Sequence, residues 1–278
     1  MPAGLVTLGW SGRSLSFDCC SMHFLKHWSL QHVPFAPVTS PEFFYAGRCQ
    51  REAIARMDYM VRSETRSALL LSERGCGATT LLRRVAGSSG LGNAAVDAVL
   101  TCGGVDSHAA AVARLAVGLA VDPFGDRALQ RISETIRASG RQQVRTLWLI
   151  DRCDPVTAEL ADILASSHRS LGIVMCVSTQ SAAALHDKLD CCALRIELEP
   201  FELHDSIAYV RFCMATAGAA GDVFEDSALV RLHELSDGKV AVLAALAQLG
   251  LATAAKFGAR TVSAECIESA QQELVRAA

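Results

Sequence analysis

The stretch from residue 69 to residue 84 constrains the fold of this chain more than any other. It runs from the apolar segment Leu69–Leu71, through a turn that contains Gly75 and Gly77, into an amphipathic helix. This order is typical of a phosphate-binding loop, in which backbone N–H groups and a helix N-terminus hold phosphate oxygens. The sequence therefore predicts a nucleotide site at this point of the chain.

The loop departs from the phosphate-loop motif at two defining positions. The motif is G-x-x-x-x-G-K-[ST], and residues 72–79 read S-E-R-G-C-G-A-T. Ser72 replaces the first glycine and Ala78 replaces the lysine. A charge-assisted hydrogen bond to phosphate contributes ~1.5–3 kcal/mol, so losing the lysine predicts ATP binding weakened roughly ten- to more than a hundredfold. The candidate nucleotide-binding residues of the loop are Gly75, Cys76, Gly77, Ala78, Thr79 and Thr80.

A second nucleotide signal follows at residues 147–152. Here an apolar run ends in Asp151, which is where phosphate-loop enzymes place a carboxylate that reaches Mg²⁺. We expect Asp151 and the Thr79 hydroxyl to be the metal ligands. Hydrolysing enzymes of this kind commonly carry Glu at the next position, but this chain has Arg152. Losing a water-positioning group costs ~10²–10⁴ in rate, so little turnover is expected.

The missing lysine raises the question of which cation replaces it. Arg152, at the end of the strand, and Arg74, inside the loop, are the candidates, and we include Arg152 among the nucleotide-binding residues. The alternative is that Arg152 points into solvent or pairs with Asp154.

Alternation of short apolar runs and amphipathic segments predicts an α/β fold with a parallel sheet covered on both faces. Strands are expected at 69–71, 94–100, 146–150 and 172–177, and helices at 48–64, 107–121, 124–140 and 157–168. Beyond residue 205 the pattern is only helical, with segments 206–217, 226–235, 240–255 and 263–275. We therefore divide the chain into an α/β domain (22–200) and a helical domain (201–278). Residues 1–21 are expected to be a disordered tail or a spurious extension.

Composition narrows the class of protein. The 26 Lys and Arg residues nearly balance the 29 Asp and Glu residues, so a globally basic nucleic-acid binder is not indicated. The 11 cysteines form no C-x-x-C pair, which favours reduced thiols in a cytoplasmic protein. The longest apolar run, Val240–Ala255, is shorter than the ~20 residues of a membrane span.

The order of these features resembles the AAA+ ATPases of the general secretion pathway protein A type, over residues 22–275. An aromatic and proline-containing arm comes first, and a helix leads into the phosphate loop. The similarity continues through residues 194–201 into the helical domain. The residues of the arm that carry the resemblance are Trp28, Pro34, Phe35, Phe43, Phe44 and Tyr45.

This resemblance implies a P-loop three-layer sandwich with a parallel sheet and a small all-helical lid, Mg²⁺ and ATP as cofactors, and assembly into oligomers. It also implies a polar sensor at Ser178 or Thr179, and an arginine finger at Arg195 that would act in trans across a subunit interface. The alternative for Arg195 is an ion pair that holds the lid. The Walker A and Walker B motifs are degenerate at Ala78 and Arg152. The lid segment 236–240, S-D-G-K-V, lacks the family's sensor arginine.

Three functions are compatible with these features. The first is a divergent AAA+ protein with weakened ATP binding, hydrolysis lost or very slow, and a possible envelope or secretion partner. The second is a non-enzymatic pseudo-ATPase that acts as an interaction or regulatory subunit beside an active paralogue. The third is a DNA-associated AAA+ protein of the transposition type. The acidic residues Glu52, Asp58 and Glu64 interrupt the basic face of helix 48–64 and weaken this third interpretation.

Overall fold

The computed structural model describes residues 24–35, 44–88, 90–92, 94–182 and 194–277. The strands are β1 (Ser67–Ser72), β2 (Gly90–Leu91), β3 (Ala94–Cys102), β4 (Arg145–Asp151), β5 (Leu171–Val177) and β6 (Leu194–Leu198). The helices are α1 (Arg48–Arg62), α2 (Ala78–Ala86), α3 (His108–Gly118), α4 (Ala128–Arg141), α5 (Pro155–Ser167), α6 (Thr179–Ala182), α7 (Leu203–Thr216), α8 (Asp226–Ser236), α9 (Val240–Lys256) and α10 (Ala264–Ala277).

The strands form one six-stranded sheet in the order β2-β3-β4-β5-β1-β6. All neighbouring pairs from β3 to β6 are parallel, and β2 adds to the edge of β3 as a short antiparallel strand. The carboxyl ends of β1, β3, β4 and β5 therefore meet at one edge of the sheet, which is where open α/β sheets bind ligands.

Side chains of β1 alternate between two hydrophobic clusters on opposite faces of the sheet. Leu69 and Leu71 pack with residues of α3, α4 and α5, whereas Ala68 and Leu70 pack with residues of α1 and α2. Every residue of β4 and β5 is buried, as expected of strands covered on both sides. The α/β class, the parallel sheet and the three layers predicted from the sequence are confirmed.

The C-terminal helices α7 to α10 pack around a separate cluster that includes Leu232, Leu246 and Ile267. The predicted all-helical C-terminal part is thus present. Phe24 and Trp28 also belong to this cluster, and Trp28 Nε1 donates a hydrogen bond to the carbonyl of Leu251 at 3.2 Å. The described part of the arm therefore packs against the helical part, because its aromatic side chains complete that part's apolar interior.

Some elements differ from the sequence-based prediction. Strands β2 and β6 and the short helix α6 were not predicted, and α4 begins at Ala128 rather than at residue 124. A turn delays the start of α4, since Gly125 adopts a positive φ of 80°. The tail 1–21 and Phe43 lie outside the described residues. No helix in the described ranges combines the length and apolarity that crossing a membrane requires.

Candidate nucleotide site

The phosphate-type loop lies between β1 and α2, at the carboxyl edge of the sheet. Gly75 and Gly77 have φ angles of 96° and 90°, a region that favours glycine because it has no Cβ. Gly77 is the residue that precedes α2, and it makes no side-chain cap for that helix. The first backbone N–H groups of a helix have no partner within the helix, so those of α2 are of the kind that can hold phosphate oxygens.

Thr79 and Asp151 are brought together by this geometry. The Thr79 hydroxyl donates a 2.8 Å hydrogen bond to Asp151 Oδ2, although the two residues are 72 positions apart. Asp151 ends β4 and is only 6% exposed. A hydroxyl and a carboxylate are oxygen donors of the kind Mg²⁺ prefers, and Mg²⁺ commonly takes its other ligands from water and phosphate. The donor set therefore fits the predicted magnesium ion.

Two buried thiols line the same region without competing for a metal. Burial, with the nearby Glu73 carboxylate, raises the pKa of Cys76 to about 11. Burial, with the negative charge of Asp151, raises the pKa of Cys176 to about 12. Both thiols stay protonated at neutral pH, and metals bind the thiolate form. Among the residues that the structure describes, no group of three or more His, Cys, Asp or Glu side chains is placed to hold a metal.

Arg152 follows Asp151 in a left-handed conformation with a φ of 51°. Its Nη2 donates to Cys102 Sγ at 2.8 Å, because the β3–β4 register sets Cys102 opposite Asp151. Arg152 is exposed, as one form of the alternative expects, and it does not pair with Asp154, which was the other form. The Asp154 carboxylate instead accepts hydrogen bonds from the backbone N–H groups of Gly104 and Thr157. Arg152 thus lies next to the candidate metal ligand while bound to a weak acceptor.

The other predicted site residues have different surroundings. Ala78 begins α2 and brings no charge, and Arg74 is exposed in the loop. Ser178 caps the short helix α6, since its Oγ accepts from the backbone N–H of Ser181 at 3.0 Å. Arg195 lies on the edge strand β6, where its Nε is 2.9 Å from Glu197 Oε1 and its side chain is 67% exposed. Arg195 therefore pairs within its own strand and does not contact the loop of its own chain, whereas a finger would act in trans, on a neighbouring subunit.

The helical part contacts the loop directly, which the sequence did not predict. Lys239 Nζ lies 3.3 Å from Glu73 Oε2, and the backbone N–H of Ala241 donates to the carbonyl of Gly75 at 3.0 Å. Both contacts come from the start of α9. The only hint of these contacts in the sequence is the positive charge of Lys239 within segment 236–240. That charge does not indicate which residue Lys239 pairs with.

Solved structures with this arrangement are distant in sequence. The Aeropyrum pernix ORC2 protein in its ADPNP–ADP complexes has a TM-score of 0.66 at 13% identity, over 86% of this chain and 71% of that chain. The Drosophila ORC bound to DNA has a TM-score of 0.61 at 15% identity, over 99% of this chain and 70% of that chain. The Thermotoga maritima RuvB Holliday junction branch migration motor has a TM-score of 0.57 at 14% identity, over 86% of this chain and 73% of that chain.

The fold is that of the AAA+ P-loop ATPases. No protein-family model matches the sequence, and no curated protein matches it. At these identities the structural likeness establishes the AAA+ fold, and the chemistry has to be argued from the residues of the site.

Proposed function

We propose that this chain is a divergent AAA+ protein of the general secretion pathway protein A type, which binds ATP weakly and hydrolyses it very slowly or not at all. The observation that carries the proposal is the combination of an assembled loop with missing charges. The positive φ angles of Gly75 and Gly77 and the Thr79–Asp151 hydrogen bond support the binding of a magnesium nucleotide at this loop. Ala78 and Arg152 stand where a lysine and a glutamate would act.

The remaining groups support weak binding rather than turnover. Backbone N–H groups at the start of α2 would hold phosphate oxygens, while Thr79 and Asp151 would hold the metal ion. A Mg²⁺ ion bound there neutralises phosphate charge. Arg152 carries a positive charge beside Asp151, so it cannot take a proton from an attacking water as a carboxylate does.

Arg152 is also the candidate substitute for the missing lysine. Its guanidinium has five N–H donors, and its recorded hydrogen bond is to the sulfur of Cys102, a weak acceptor. Exchanging that partner for a phosphate oxygen would gain a charge-assisted hydrogen bond, which is about twice as strong as a neutral one.

The decisive experiment restores the charge of the loop. We expect Ala78→Lys to tighten ATP binding about ten- to a hundredfold in calorimetric titrations with Mg²⁺, because a lysine adds a charge-assisted contact to phosphate. Ala78→Gln is the matched control, since it adds length without charge and should leave the affinity near that of the wild type. We expect ATP hydrolysis to stay very slow in Ala78→Lys, because Arg152 is unchanged.

An Ala78→Lys variant that folds but gains no affinity would contradict the proposal that the cradle is intact. Arg152→Ala, titrated in parallel, tests the substitute cation, and wild-type affinity in that variant would remove Arg152 from the site. If ATP binds to none of these variants, the pseudo-ATPase function beside an active paralogue becomes the better account.

Assembly and partners are part of the same proposal. We propose that the chain forms homo-oligomers or hetero-oligomers with an AAA+ paralogue, and that an envelope or secretion component is its partner. The DNA-associated alternative gains little support from α1. Arg56 pairs with Glu52 and Arg62 pairs with Asp58, so two of the arginines on that helix are already neutralised.

A further inference from the structure

Besides the contacts of the arm, two sets of contacts among the described residues connect the helical part to the α/β part. The first, which we call the hinge, lies where α1 begins and α7 begins. Arg48 Nη1 is 3.0 Å from Glu202 Oε1, and the backbone N–H of Arg48 donates to the buried Asp205 carboxylate at 3.3 Å. The second lies at the phosphate loop, where Lys239 and Ala241 contact Glu73 and Gly75.

One turn links these two places. It connects α8 to α9 and contains Gly238, whose carbonyl accepts a 2.9 Å hydrogen bond from the backbone N–H of Phe201 near the hinge. The backbone there is tightly packed, since a Cβ added to Gly238 would come within 2.1 Å of the Phe201 carbonyl oxygen. Lys239 is the next residue. The turn is therefore fixed at the hinge on one side and presents its lysine to the loop on the other.

The contacts at the loop satisfy donor groups at the start of α9. The first N–H groups of α9 have no partner inside the helix, and the Gly75 carbonyl accepts from one of them. The ammonium of Lys239 neutralises the carboxylate of Glu73, an anion within the loop. The backbones approach closely as well, because a Cβ added to Gly75 would lie 3.6 Å from that of Lys239 and 3.7 Å from that of Ala241.

We propose that the Glu73–Lys239 ion pair and the Gly75–Ala241 hydrogen bond form a latch that holds the helical part closed against the phosphate loop. That this latch regulates the nucleotide site rests on the proposed function, whereas the closure of the helical part against the loop does not. With the latch broken, the hinge contacts remain and the start of α9 moves away from the loop.

Amide hydrogen exchange of the nucleotide-free protein tests the latch. We expect Lys239→Ala and Glu73→Ala each to speed exchange of the Ala241 N–H by roughly two- to fivefold, the size of effect that a partly exposed ion pair gives. The double variant should add little to either single variant, because both remove the same interaction. The charge swap Glu73→Lys with Lys239→Glu should return exchange to within about twofold of the wild type.

Lys256→Ala is the matched control, since it removes a lysine from the exposed far end of the same helix. It should leave the Ala241 exchange rate unchanged. Unchanged Ala241 exchange in both Lys239→Ala and Glu73→Ala would overturn the latch, as would fully additive effects in the double variant. ATP titration of the wild type is read separately. Absence of ATP binding together with accelerated exchange in the variants would overturn the proposed function and leave the latch supported.

Discussion

Arg145 is a buried charged residue at the edge of the sheet opposite the candidate nucleotide site, and its hydrogen bonds connect β4 to the end of α1. It begins β4 and is 9% exposed, and burial lowers its pKa from the usual arginine value. Its guanidinium donates to the carbonyls of Met60 and Val61 in the last turn of α1, and to that of Thr65 beyond it. The side chain therefore satisfies the carbonyls at the end of α1 from within another element.

We expect Arg145→Met to lower the free energy of unfolding by about 2–4 kcal/mol, because it leaves several carbonyls without a donor. Urea denaturation measures this change. Arg141→Met is the control, since Arg141 is exposed at the end of α4 and should shift stability by less than about 0.5 kcal/mol. Equal stability of the two variants would show that water replaces the guanidinium.

Some residues of the site could be predicted from the sequence and their partners could not. Thr79 and Asp151 occur at positions whose spacing and strand context indicate a shared metal, and the structure brings them together. The partner of Arg152 depends on the register between β3 and β4, which no local pattern specifies. The pairing of Glu73 with Lys239 joins residues far apart in the chain, and it depends on how the two parts are packed.

At the scale of the elements, prediction worked where an element is buried and regular. Strands β1, β4 and β5 are apolar and central, so their composition alone identifies them. Strand β6 alternates apolar residues with Arg195 and Glu197, because one of its sides faces solvent, and it is only five residues long. Strand β2 has two residues, too few for any periodicity. The weakest local patterns thus belong to the elements at the two edges of the sheet.

Asp154 caps the N-terminus of helix α5, and the contribution of its carboxylate to the stability of the protein depends on pH. Burial alone would raise the pKa of Asp154, but hydrogen bonds from Thr157 and Gly104 outweigh it, and the pKa is lowered. A carboxyl group whose pKa is lowered in the folded state stabilises the protein fully at pH values above its unfolded-state pKa, which is near 4. This stabilisation is lost as the pH falls through the folded-state pKa.

We therefore expect Asp154→Ala to cost about 1–2 kcal/mol at neutral pH, as the loss of an N-cap does. The difference from wild type should shrink as the pH is lowered below about 4, because the native carboxyl is then protonated. Denaturant unfolding at several pH values measures it. Asp126→Ala, at an exposed position before α4, serves as the control. A difference that stays constant down to acid pH would contradict the role of the charge.

At the scale of the whole molecule, the relation between the two parts depends on the α8–α9 turn. Gly238 has a φ of 68° and lies against the backbone of Phe201, so both its conformation and its surroundings exclude a side chain. Gly258 has a similar φ of 65°, but a Cβ there would meet nothing within 4 Å. Comparing the same substitution at Gly238 and Gly258 therefore separates the destabilisation caused by a positive φ from that caused by the contact with Phe201.

We expect Gly258→Ala to lower the free energy of unfolding by about 1 kcal/mol, because alanine is strained at the positive φ of this position. Gly238→Ala should cost at least about 2 kcal/mol more, because the backbone of Phe201 has to move. Thermal and urea unfolding of both variants measure the difference. Equal effects would mean that the turn moves away from Phe201 without cost, in which case the turn does not fix the helical part.

The hydrogen bond from Trp28 to Leu251 joins residues 223 positions apart. At a synthesis rate of ~5–20 residues per second, Leu251 is added roughly ten to fifty seconds after Trp28. The sheet has its strands by residue 198 and can assemble in that interval. The apolar arm therefore leaves the ribosome well before the helix that buries it, and its aromatic side chains are exposed to chaperones during that interval.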